Sequence, residues 1–196
     1  MCLKKLGRNA ELVDSHRSGA EHGDQHDQFK LGYLYHKGIG VEQDFEKAAK
    51  WYRLAADQGN AVAWENLGQL YGDGKGVPLD YDQEISCYKK ALSLDPDHAH
   101  VMNTYAWMLA TCEDESFRNY PEAVKMAERS VELDEQFHSL DTLAVACDHN
   151  GQYAKAVEAQ KRLIAFRQKK DPRKEVPKGM ANRLKKYEKK LAEQNQ

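Results

Sequence analysis

LGYLYHKGIGVEQDFEKAAKWYRLAADQG, residues 31–59, returns in outline 36 residues further along the chain. Leu31-Gly32 comes back as Leu67-Gly68 and Tyr35 as Tyr71. Gly38, Gly40 and Val41 come back as Gly74, Gly76 and Val77, and Asp44, Tyr52 and Ala55 as Asp80, Tyr88 and Ala91. An internal period of this length implies a helical repeat array. Within one unit, Phe29, Leu31, Leu34 and Tyr35 lie at near-helical spacing and predict a first helix, A. Gly38-Ile39-Gly40 interrupts it, because glycine tolerates the positive φ that a tight inter-helix turn demands. Asp44 is placed to N-cap a second helix, B, whose buried face is Ala48, Trp51, Tyr52, Ala55 and Ala56. Gly59 supplies the stop. Small residues at Gly32, Gly68, Ala48 and Ala55 let the two helices approach closely. Each hairpin has apolar surface on both sides, so stacked neighbours must bury it.

The pattern Leu31-Gly32, Tyr35, Gly38-x-Gly40-Val41, Asp44, Ala48, Trp51-Tyr52, Ala55-Ala56, Gly59 resembles the Sel1-like repeat. The second copy departs from it in helix B, where Glu84 and Cys87 replace Ala48 and Trp51. That copy closes on Ala91-Leu92-Ser93-Leu94-Asp95-Pro96, an ending that looks like the tetratricopeptide repeat. Asn150-Gly151-Gln152-Tyr153, with Ala156-Val157 after it, resembles the inter-helix turn of that family. The runs Tyr105–Cys112 and Leu140–Cys147 resemble the last two repeats of many bacterial tetratricopeptide proteins. The resemblances imply Sel1-like repeats over about residues 20–94 and tetratricopeptide-like repeats over about 95–168. The implied fold is an all-α, right-handed α-α superhelix, a solenoid of about four hairpins with capping helices at its ends.

In chain order, residues 1–24 are expected to form a capping or degenerate half repeat. Ala20-Glu21-His22-Gly23-Asp24 matches Ala56-Asp57-Gln58-Gly59-Asn60 at the same offset, so Arg8–Ala20 reads as a helix B. Residues 25–94 hold the two Sel1-like hairpins and residues 95–168 the two tetratricopeptide-like ones, with a longer loop over Thr111–Tyr120. Residues 169–196 read as a basic linker followed by an amphipathic cap helix. Met180, Leu184, Tyr187 and Leu191 recur there at helical spacing, facing helix B of the fourth hairpin.

The net charge of −2 conceals a division. Residues 1–160 carry 16 Lys/Arg and 27 Asp/Glu, a net −11, whereas residues 161–196 carry 13 and 4, a net +9. Cys2, Cys87, Cys112 and Cys147 show no pairing or zinc-like spacing and suit reduced thiols in a cytosol-like compartment. No apolar N-terminal run resembles a signal peptide and no stretch is long and apolar enough to span a membrane, so a cytoplasmic location is expected.

Partners of such arrays usually bind the inner face lined by helices A. The first repeat offers Phe29, Tyr33, His36 and Lys37 there, and the second Glu65, Gln69 and Asp73. The third offers Asn103 and Trp107, with His100, and the fourth Asp141 and Asp148, with His138 and His149. Tyr33 and Trp107 are the leading anchors, since aromatic side chains concentrate binding energy. The alternative for each is packing against a neighbouring helix. Some tetratricopeptide proteins grip a peptide carboxylate with Lys and Asn at fixed helix-A positions. Phe29, Glu65 and Asp141 stand there instead, so that clamp is absent and a neutral or basic partner segment is favoured.

The expected function is therefore a non-enzymatic scaffold or adaptor for another protein or peptide, with no cofactor, metal or small-molecule substrate. Ser86-Cys87-Tyr88-Lys89 fits the S-x-x-K nucleophile motif of β-lactamases, an activity described for some Sel1-like proteins. Such a match arises readily by chance, neither K-T-G nor S-D-N accompanies it, and Ser86 falls mid-helix. The basic tail is a candidate contact for nucleic acid or an anionic surface, although only Tyr187 is available there for stacking and the acidic body offers it an intramolecular partner. The histidine pairs His22/His26 and His98/His100 fall across a turn and on different helix faces, which argues for surface residues over a metal site.

Overall fold

The computed structural model describes the backbone of residues 2–170 and 175–196, and side chains from residue 11 onward. Among the described residues the chain is all-helical. Two compact units form, residues 1–96 and residues 97–196. The first holds α1 (Cys2–Glu21), α2 (Gln25–Lys37), α3 (Phe45–Asp57), α4 (Ala61–Asp73) and α5 (Tyr81–Leu94). The second holds α6 (Ala99–Thr111), α7 (Tyr120–Leu133), α8 (Phe137–His149), α9 (Tyr153–Lys170) and α10 (Lys178–Gln194), with a short 3₁₀ turn at Glu115–Phe117.

The 36-residue period is written into the hydrogen bonds of the first unit. Asp44 accepts the Lys47 amide at 2.9 Å, and Asp80 accepts the Gln83 amide at 2.9 Å. Each caps a helix B by satisfying an N–H that the helix leaves unpaired. Gly38 and Gly74 end α2 and α4 in the left-handed region, at φ 65° and 62°. The chain then returns through Asp44 N–H to Tyr35 O and Asp80 N–H to Tyr71 O, both at 3.1 Å. The turn at Gly23 (φ 91°) repeats at Gly59 (φ 93°), which gives α1 the place of a helix B ahead of α2.

Helices A and B pack as α2 with α3 and α4 with α5, and α1 and α3 each lie against the helix that follows. Val13 and Ala20 of α1 close the core over Leu31 and Leu34 of α2. Tyr52 and Tyr88 are fully buried, and the helix they meet carries glycine at the contact. A Cβ on Gly32 would stand 2.8 Å from Tyr52 Cδ1, and one on Gly68 would stand 3.1 Å from Tyr88 Cε1.

The second unit repeats the arrangement with different residues. α6 pairs with α7 and α8 with α9, α8 also touches α6, and α10 lies on α9. Ala106 and Ala144 stand at the places of Gly68, and both are fully buried. α9 runs to Lys170, two residues into the stretch expected to be linker, because Arg167, Lys169 and Lys170 suit the negative end of the helix dipole. α10 buries Met180 and Tyr187, each worth roughly 1.5–3 kcal/mol.

Gly32→Ala tests the close approach. Helix propensity favours alanine by about 1 kcal/mol. Overpacking against Tyr52 and the Ala48 carbonyl costs roughly 1–3 kcal/mol. The clash is expected to win, giving a lower melting temperature by calorimetry, while Gly179→Ala, with nothing near its added Cβ, leaves it unchanged or slightly raised.

Candidate protein-binding surface

In the first unit the candidate side chains stand on α2 and α4. Tyr33 is 40% exposed, with Lys37 Nζ 5.9 Å from the centre of its ring. Phe29 is half-buried, its ring 5.9 Å from that of Tyr52. His36 is also half-buried, edge-on to Phe45 at 5.6 Å and with Nδ1 3.3 Å from Tyr52 Oη. Burial, aided by Lys37 and Lys75, holds its pKa below the usual histidine value. Asp73 is exposed and paired with Lys75 at 2.8 Å, and Gln69 is partly exposed. Glu65 departs from expectation: it is 3% exposed and belongs to the interior, not to an open face.

The second unit contains a cavity of about 550 Å³ between α6, α7 and α8. Its walls include Asn103 and Trp107 of α6, Ser130 of α7 with Asp134 just after it, and His138 and Asp141 of α8. Trp107 is 45% exposed although large and aromatic. Asn103 Oδ1 is shielded from solvent and has no hydrogen-bond partner among the described residues. A buried acceptor of this kind is uncommon, and a backbone N–H brought by a bound segment would satisfy it. Asp141 reaches the cavity but already holds Arg183 of α10 at 2.8 Å.

Asp148 departs further from the expected open face. It is nearly buried, and Lys186 Nζ at 3.2 Å and Lys190 Nζ both close on its carboxylate. The acidic end of α8 is thus covered by the chain's own basic helix. Asp148 could have been suspected from sequence, because Gly72 holds the equivalent place in the second repeat and the acid needs a partner of opposite charge. The cavity residues Ser130, Asp134, Gln136, Ser139 and Thr142 left no such signal, since they converge from two helices and the turn between them.

Ser86 and Lys89 line an open depression on α5. Ser86 lies inside the helix, where backbone N–H groups are consumed by the helix itself and none is left as an oxyanion donor. Among the described residues no cluster of three His, Cys, Asp or Glu side chains is placed to hold a metal, and no helix is long and apolar enough to cross a membrane. Cys87, Cys112 and Cys147 are buried, and Cys87 and Cys147 are free thiols. Burial pushes the Cys87 thiol up to about 11 and Cys147 up to about 12, which keeps both protonated and unreactive.

A Sel1 repeat model matches residues 26–60, and a tetratricopeptide repeat model matches residues 61–98. The chain carries a Sel1 repeat followed by a tetratricopeptide repeat. The second match takes the hairpin of α4 and α5, whose helix B has Glu84 and Cys87 in place of Ala48 and Trp51 and which ends on Leu94-Asp95-Pro96. No curated protein matches this sequence. Among solved structures, a Sel1 repeat protein from Oxalobacter formigenes is similar with a TM-score of 0.62 and 25% identity, over 98% of this chain and 80% of that one. The antigen c5321 of uropathogenic Escherichia coli, described as having an SLR fold, has a TM-score of 0.60 at 23% identity. That likeness covers 94% of this chain but 41% of c5321. PilW, a type IV pilus biogenesis factor, has a TM-score of 0.60 at 21% identity, over 85% of this chain and 75% of PilW. These likenesses show the repeat-solenoid fold, and repeats of this type support protein–protein interaction in general.

One ionisable group in the Sel1–tetratricopeptide core is displaced far from its usual range. Glu84 is buried in α5, accepts the Tyr88 hydroxyl at 3.0 Å, and fills the space left by Gly72. Burial raises its pKa from 4.5 to about 7, the Tyr88 bond opposing the shift and Asp73 adding to it. Between those two values the folded chain keeps a proton that the unfolded chain releases, so stability falls as pH rises through this window. Glu84→Gln keeps the acceptor for Tyr88 and removes the ionisation. It is expected to raise the melting temperature by roughly 2–6 °C at pH 8 and to change it little at pH 4.5. Equal effects at both pH values would contradict the assignment.

Proposed function

We propose that this chain is a non-enzymatic scaffold or adaptor that holds a segment of another protein against its helix-A side chains. The carrying observation is the cavity between α6 and α8, where a half-exposed Trp107 stands beside the unpartnered Asn103 carbonyl. An indole edge offers apolar area at little entropic cost, and the carboxamide oxygen accepts a peptide N–H. Rigid helical walls mean that little ordering is needed when the segment arrives. The exposed acid Asp134 in the wall favours a neutral or basic segment over an acidic one. In the first unit, Tyr33 and Lys37 offer a second contact of similar character, an aromatic ring beside a cation. The free, buried thiols suit a reducing compartment.

Affinity capture from a lysate with the full chain, Trp107→Ala and Tyr33→Ala tests this reading. Both side chains are substantially exposed, so the melting temperature should barely move in either variant. Trp107→Ala is expected to weaken capture of the partner by about tenfold or more, the loss typical of an interface anchor. Undiminished capture by both variants would remove these helix faces as the binding surface.

A further inference from the structure

α10 is seated on α8 and α9 by a matched set of charges. Asp141 and Asp148 are seven residues, two helical turns, apart on one face of α8. Arg183 and Lys190 are seven apart on α10, with Lys186 between them. Arg183 meets Asp141, and Lys186 and Lys190 meet Asp148, so the two helices run in the same direction with their charges in register. Lys190 Nζ also lies 5.2 Å from the centre of the Tyr153 ring, and Lys161 of α9 pairs with Glu188 at 3.3 Å. Met180 and Tyr187 fill the apolar part of the seat, and Gln160 donates to the Met180 carbonyl at 3.2 Å. Asp148 carries the recognition most sharply, since a carboxylate with 6% side-chain exposure requires a cation beside it.

The occupant is held less firmly than the helices around it. α10 buries only Met180 and Tyr187. α8 buries Leu140, Leu143, Ala144, Ala146 and Cys147 among others, and α9 buries Ala156, Val157, Ala159, Gln160 and Leu163. Lys186 is 60% exposed, so water competes for its pairing with Asp148. Few buried side chains and exposed ion pairs mark the element that opens first.

We propose that the acidic seat on α8 and α9 is a docking site for a cationic amphipathic helix of a partner protein, and that α10 is its displaceable resident. The recognised helix carries cations at positions i, i+3 and i+7, with apolar side chains at i−3 and i+4, as Arg183, Lys186, Lys190, Met180 and Tyr187 do here. This seat adjoins the cavity between α6 and α8 at Asp141, and the proposal stands without a ligand in that cavity.

The test uses the full chain and, as probe, a fluorescein-labelled peptide of residues 175–196. Lys186→Ala/Lys190→Ala loosens the resident helix and leaves the seat intact. This variant is expected to bind the probe at least about tenfold more tightly than the unaltered chain, because the resident no longer occupies the site. Asp148→Asn added to it should abolish the gain. Equal affinity of the two chains, no binding by the variant, or indifference to Asp148→Asn would overturn the proposal. Hydrogen exchange on the unaltered chain supplies a measurement independent of variant folding. α10 amides are expected to exchange at least about tenfold faster than those of α8. Equal protection would make α10 a fixed part of the fold and sink the proposal.

Discussion

Tyr52 against Gly32, and Tyr88 against Gly68, set how closely the two helices of each hairpin in the first unit approach. The rings are fully buried, and there is no room for a Cβ on the glycine that faces Tyr52. Everything that repeats in this unit follows from that contact. The glycine turn must bring helix B back at the right distance, so Gly38 and Gly74 adopt the same left-handed conformation. The caps at Asp44 and Asp80 must begin helix B in the right register, and their hydrogen bonds agree in length. The aromatic residue that fixes the spacing also supplies the largest buried side chain on its helix, so local geometry and core formation rest on one residue.

The two hairpins reach this contact with their large and small residues exchanged at one place. His36 and Ala48 of the first correspond to Gly72 and Glu84 of the second. His36 packs between Phe45 and Tyr52, whereas the glycine at 72 leaves its space to the Glu84 carboxyl. Glu84 then bonds to Tyr88 from within the same helix, one turn away. The exchange turns an aromatic contact into a buried acid. It also falls in the hairpin matched by the tetratricopeptide model, so the change of repeat type coincides with a change of core chemistry.

Charge organises the second unit more than composition alone suggests. The chain's basic end does not simply stand in solvent. Three of its cations are used by Asp141 and Asp148, and a carboxylate that would be costly to bury alone becomes tolerable between two ammonium groups. The same pairing covers Asp148 and engages Asp141 at the edge of the cavity, where Trp107 and Asn103 of α6 are among the side chains that face unfilled space.

The helices, their turns and their caps were legible in the sequence, because each depends on residues within a few positions of one another and the 36-residue period displays them twice. Asp44, Gly38 and the spacing of Ala48, Tyr52 and Ala55 needed no tertiary context. The exposure of Tyr33 and Trp107 was legible too, as large aromatic residues at helix-A positions outside the core pattern. Which acids are open was not legible. Glu65 and Asp141 occupy matching places on helices A, and sequence treats them alike. Their fates depend on the neighbours that fold over them, and burial is a property of those neighbours. Only the tertiary structure decided that Glu65 goes inside, that Asp148 is covered by two lysines some forty residues away, and that Ser130, Asp134 and His138 meet around one cavity.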